Sequence, residues 1–87
     1  GPKPEVSLKE RAVAETTLQN ALKGHRQAYF AEAGGFVETP RYDRAKFSAG
    51  LTFAGPAIVE EKDSTAVIGP GTTVTVDTFV NLIVTFN

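Results

Sequence analysis

From Gly24 to the C-terminus, turn-forming residues interrupt this chain so often that only short strands fit between them. Ala33-Gly34-Gly35, Gly55-Pro56, Lys62-Asp63-Ser64 and Gly69-Pro70-Gly71 all read as turns. Between them lie segments rich in β-branched and aromatic residues. Arg26–Ala31 and Phe36–Thr39 read as a hairpin, with Pro40 expected to stop the second strand. A helical turn through Phe47 and a brief strand over Leu51–Phe53 follow. Ala57–Glu61 and Thr65–Ile68 form a second hairpin. In Thr72–Val76 the alternation turns Val74 and Val76 inward and Thr73 and Thr75 to water. Leu82–Phe86 is apolar on both faces and is expected to be a central strand. Short strands at this spacing predict a small antiparallel β-barrel or sandwich.

The first part of the chain has a different texture. Residues 1–6 hold two prolines and read as an extended tail, or as a cleavage scar at Gly1-Pro2. Residues 7–23 lack Gly and Pro and are dominated by Ala, Leu, Glu, Lys and Gln. Ser7 and Glu10 have capping-box spacing, and Gly24 is placed to end the helix. The apolar stripe is thin, so residues 24–87 are expected to fold as a β domain that does not depend on the helix. The chain is thus mainly β (α+β), one domain with one N-terminal helix. It contains no Met, which predicts a piece of a longer protein.

Composition excludes several classes of function. Nine Lys and Arg balance ten Asp and Glu with no basic block, so no nucleic-acid footprint is present. Without Cys there is no disulfide framework, thiolate metal site or Cys nucleophile. No apolar run is long enough to span a membrane. A cytoplasmic location is the expectation.

Five sequence blocks occur in order: Lys23-Gly24-His25-Arg26-Gln27-Ala28-Tyr29-Phe30, Thr39-Pro40-Arg41-Tyr42-Asp43-Arg44, Gly55-Pro56-Ala57-Ile58-Val59-Glu60, Asp63-Ser64-Thr65, and the final Asn81-Leu82-Ile83-Val84. Together they resemble the C-terminal end of the hydantoinase/5-oxoprolinase family, which includes acetone- and acetophenone-carboxylase subunits. The resemblance implies a parent that opens cyclic amides or carboxylates ketones with ATP and Mg²⁺. It also implies partners in the rest of that chain and in a second enzyme subunit. Where the family has Gly before the final Asn, this chain has Val80. A β-branched residue resists positive φ, so Asn81 is expected to take the left-handed position, or the loop to change shape. Ser48-Ala49-Gly50 stands where a Pro-Gly turn is usual.

No residue is expected to be catalytic, and none to bind metal. Asp63, Ser64 and Thr65 are read either as a loop ordering nucleotide or Mg²⁺ in the parent or, preferably, as a β-turn in which Asp63 bonds the backbone two residues on. Tyr42, Asp43 and Arg44 offer an Arg fork for a carboxylate or phosphate. The preferred reading is structural, an Asp–Arg pair pinning a long loop onto the barrel. Glu60 and Glu61 point to opposite faces of a strand and cannot share a site; they read as solvated charges. His25, the only His, reads as a helix-end residue. Lys62 at a hairpin tip supports a different reading, a biotinyl- or lipoyl-like carrier or small binding module. Gly69-Pro70-Gly71 lacks the ending of a phosphate loop.

Overall fold

A computed structural model describes residues 8–87, with side chains from residue 13 onward. The expected cap at Ser7 lies outside the described residues. The chain runs α1 (Leu8–Ala21), β1 (Leu22–Phe30), β2 (Gly35–Asp43), β3 (Thr52–Ala54), β4 (Ala57–Glu60), β5 (Thr65–Ile68), β6 (Thr72–Val76) and β7 (Leu82–Phe86). Single 3-10 turns follow β1 and β2. No helix among the described residues is long and apolar enough to cross a membrane.

Two sheets face each other in a sandwich-like arrangement, with no closed barrel. One has the order β1-β2-β4-β5 and the other β3-β6-β7. Neighbours are antiparallel except β2 and β4, which run parallel over Arg41–Asp43 and Ile58–Glu60. A parallel pair needs a long crossover. Here residues 44–56 supply it, passing through β3 in the other sheet.

The main core lies between the sheets. Ala57, Val59 and Ile68 from one meet Phe53, Val74 and Val76 from the other, with Phe47 and Leu51 from the crossover. The alternation in β6 is as expected: Val74 and Val76 are fully buried and Thr75 is exposed. Tyr42 stacks at tilted angles on Phe47 and Phe53, with ring centroids 6.0 and 5.6 Å away. A smaller cluster of Ala28, Phe30 and Ile58, with Val37 against it, lies apart from this core.

The helix packs against the β domain. Ala21 is buried in the main core, and Ala14 and Leu18 pack against it. A thin stripe is enough, because only Ala14, Leu18 and Ala21 have to reach the sandwich. Gly24 does not cap this helix. It sits inside β1 at φ 148, where the pairing register with β2 shifts. That bulge needs glycine's freedom. His25 accordingly belongs to β1, opposite Pro40, and meets no helix end.

Two further expectations are corrected. β2 runs through Pro40 to Asp43. β4 begins to pair with it only at Arg41, so β2 is an edge on that side at Pro40, where proline is tolerated. β7 is an edge strand paired only with β6, and Ile83, Val84 and Phe86 are exposed. Its apolar composition does not reflect burial within this chain.

The turns at Gly55 and Gly69 touch each other. The Gly55 N–H donates to the Thr72 carbonyl at 3.1 Å, and the Thr72 hydroxyl donates to the Gly69 carbonyl at 2.8 Å. A β-carbon on Gly55 would collide with the Gly69 carbonyl oxygen and the Thr72 hydroxyl. The Gly55–Pro56 peptide is cis.

Candidate functional site

Three loops converge beside the end of β2. Asp43 ends that strand, and its carboxylate accepts the Ala45 N–H at 3.0 Å, starting the 3-10 turn Arg44–Lys46. This turn aims Arg44 outward across the surface. Its guanidinium pairs with Glu61 at 2.6 Å, on the turn between β4 and β5. It also donates to the Val80 carbonyl at 3.0 Å, in the loop between β6 and β7. One side chain therefore ties together loops from both sheets. The open depression around it, about 540 Å³, is lined by Asp43, Arg44, Ala45, Phe47, Glu61, Lys62 and Val80.

The Val80 loop is built around Asp77. Its carboxylate accepts the Phe79 and Asn81 backbone N–H groups at 2.9 and 2.8 Å. Those bonds, the Asn81 amide foremost, lower the Asp77 pKa. Backbone bonds also link Val80 N–H to the Asp77 carbonyl and Asp77 N–H to the Asn81 carbonyl, each at 3.0 Å. Within this frame Val80 itself is left-handed, at φ 61. The expectation that Asn81 would take that conformation is overturned. The fixed hydrogen bonds on both sides hold a β-branched residue where it would not go by preference.

A second charged group stands one strand away. Glu60, at the end of β4, pairs with Lys23 of β1 at 2.8 Å and Arg41 of β2 at 3.1 Å. Its side chain is only 18% exposed. Hydrogen bonds from Arg41 and then Lys23 pull its pKa from an ordinary 4.5 to about 2. Glu60 is thus a staple across three strands, and the reading of it as a solvated charge is corrected. Glu60 and Glu61 do serve separate partners. Sequence reasoning missed the Lys23–Glu60–Arg41 cluster. No local spacing signals it, because it depends on the parallel pairing of β2 with β4.

The expected site residues are only partly brought together. Asp43 and Arg44 line the depression, but Arg44 pairs with Glu61 and not with Asp43. Tyr42 points the other way, into the aromatic cluster, and burial raises its pKa. The turn between β4 and β5 runs from Glu61 to Ser64 and bends at Lys62 and Asp63, so Thr65 lies outside it. The Glu61 N–H donates to the Ser64 carbonyl at 2.8 Å, the Ser64 hydroxyl approaches the Glu61 carboxylate at 3.5 Å, and Thr65 starts β5 opposite Glu60. Asp63 makes no hydrogen bond or ion pair among the described residues, so the turn is closed by the backbone bond of Glu61 to Ser64 and not by the Asp63 carboxylate.

No group of three His, Asp or Glu that could hold a metal occurs among the described residues. The carboxylates at the depression fit Mg²⁺ poorly: one caps a backbone amide and the other neutralises Arg44.

Residues 1–84 match the hydantoinase/oxoprolinase C-terminal domain. The chain is 38% identical over 71 residues to the acetophenone carboxylase gamma subunit of Aromatoleum aromaticum, covering 82% of this chain and 10% of that protein. It is 46% identical over 57 residues to an uncharacterized protein of Methanocaldococcus jannaschii, covering 66% of this chain and 8% of that protein. The chain thus spans a tenth or less of the length of these relatives.

Proposed function

The chain belongs to the hydantoinase/oxoprolinase C-terminal domain family, and on that footing we propose that it is a non-catalytic domain of an ATP-dependent enzyme of the hydantoinase/5-oxoprolinase type. The parent hydrolyses a cyclic amide or, as a subunit of a related enzyme, carboxylates a ketone. The domain serves the parent by folding, docking or capping its active site. The parent is cytoplasmic, and its partners are the rest of its chain and a second subunit. ATP and Mg²⁺ belong to those other regions.

One observation carries this reading: three of the four charged residues at the depression, Asp43, Arg44 and Glu61, are committed to partners within the domain, and only Lys62 has no partner among the described residues. Arg44 is held by Glu61 and the Val80 carbonyl, and Asp43 by a backbone amide. A catalytic or phosphate-binding constellation leaves its groups directed at a vacant reacting position. Here they fasten loops. The test is a titration of the 87-residue chain with Mg·ATP, followed by amide NMR. The expected result is no saturable shift at Arg44, Glu61 or Lys62. Saturable shifts clustered there would make the depression a nucleotide site.

A carrier reading keeps one supporting observation, the exposure of Lys62 on the turn between β4 and β5. It requires an acyl adduct on Lys62. An intact mass equal to that of the bare sequence, in material from a host that makes such adducts, excludes it.

A further inference from the structure

We infer that β7 is a docking strand, whose outer edge and inner face are covered by the catalytic body of the parent enzyme. This rests on the reading of the chain as a domain of such an enzyme, and it identifies where the domain docks.

The backbone comes first. At the loop end of the β6–β7 ladder the Asp77 N–H bonds to the Asn81 carbonyl; at the far end the Asn87 N–H bonds to the Gly71 carbonyl. Between them the register is unbroken, from Val76 opposite Leu82 to Thr72 opposite Phe86. Hydrogen-bonded and non-bonded pairs alternate in an antiparallel ladder. The bonds at both ends therefore place Ile83 and Thr85 in bonded pairs. Leu82, Val84 and Phe86 then turn their N–H and C=O groups away from β6, where no strand of this chain lies.

The same three residues carry the inner face. They stand opposite Val76, Val74 and Thr72, all buried in the core. Yet cover fails step by step along β7. Leu82 is half-buried, Val84 is 40% exposed and Phe86 is 87% exposed. The core is cut off in mid-sheet and not closed by polar residues. Solitary edge strands are normally blunted by Lys, Pro or a bulge. β7 has none of these, and no charged residue follows Asp77.

The chemistry identifies the occupant. An uncharged face that continues a core is what a permanent interface looks like when its other half is removed. Transient surfaces are more polar. About nine-tenths of each relative's length lies outside the region matched here, so a permanently attached body is at hand. It supplies an extended strand to the edge and apolar side chains over Val84 and Phe86.

Residue-resolved hydrogen exchange on the intact enzyme and on the 87-residue chain tests this. In the isolated chain the Leu82, Val84 and Phe86 amides exchange quickly at every concentration, while Ile83 and Thr85 are protected. In the intact enzyme all three slow by about tenfold or more. Phe86→Lys, at a side chain with almost nothing to lose in the isolated chain, leaves that chain's melting temperature unchanged and restores fast exchange in the intact enzyme. Equal rates in chain and enzyme overturn the proposal. So does protection that grows with concentration in the isolated chain, because the occupant is then a second copy. The exchange needs no turnover, so an enzyme that protects β7 but opens no ring counts against the proposed activity and not against docking.

Discussion

Gly55→Ala tests the packing logic of this domain at one atom. The new methyl would meet the Gly69 carbonyl oxygen and the Thr72 hydroxyl inside contact distance, with Ile68 Cγ2 at 3.3 Å. The carbonyl is backbone and cannot rotate aside. The two turns have to separate, which strains the Gly55–Thr72 and Thr72–Gly69 hydrogen bonds. Each such bond contributes about 1 kcal/mol net, and more when a buried partner such as Thr72 is left unpaired. Overpacking alone costs about 1–3 kcal/mol, so a total of about 2–4 kcal/mol is expected. With a urea slope of about 1–2 kcal/mol per molar for a domain this small, the unfolding midpoint should fall by roughly 1–4 M. Gly35→Ala is the control. Its β-carbon position has no neighbour within 4 Å, and its midpoint should correspond to a change within about 0.5 kcal/mol. Equal midpoints for both variants and the parent sequence would refute the contact argument.

Acid should destabilise the domain through Glu60 and Asp77. Both have folded pKa values below the ordinary ones, so their stabilisation is present above about pH 4.5 and lost as pH falls toward 2. The melting temperature should be flat from pH 7 to 5 and then drop, and Glu60→Gln should shrink that drop; an unchanged melting temperature at pH 2.5 contradicts it. Asp63→Ala should change stability by no more than about 0.5 kcal/mol, because Asp63 makes no bond among the described residues. A loss of about 1 kcal/mol in urea unfolding would restore the turn-capping role. Leu18→Ala, which removes the largest of the helix's contacts with the core and leaves those of Ala14 and Ala21, should cost about 1–2 kcal/mol, below the range for a fully buried leucine. An unaltered denaturation curve would mean that the helix does not belong to the core.

Where a segment's neighbours in space are also its neighbours in sequence, the reading was sound. Thr65–Ile68, Thr72–Val76 and Leu82–Phe86 are strands with the expected limits, and Lys62-Asp63-Ser64 is a turn. What escaped depends on distant partners. Lys23 and Gly24 look like a helix end, yet Lys23 reaches Glu60 from inside a strand. Pro40 looks like a stop, but β2 has no second neighbour there to miss its N–H. The apolar content of β7 reads as a buried centre, whereas the structure gives it an uncovered edge. Val80 breaks a local rule because Asp77, Asn81 and Arg44 jointly fix the loop around it. At the candidate site, Asp43 and Arg44 were legible as loop-fastening residues. Their true partners, Ala45 and Glu61, required the three-dimensional arrangement.

The central claim is that this domain supports an enzyme without performing its chemistry. ATP-dependent opening of 5-oxoproline or a hydantoin, or ATP-dependent ketone carboxylation, is to be measured for an intact parent enzyme, for the same enzyme lacking this domain, and for the 87-residue chain alone. The account predicts turnover by the intact enzyme, its loss on removal of the domain, and none by the isolated chain. Turnover by the isolated chain, or full turnover by an enzyme lacking the domain, would contradict it.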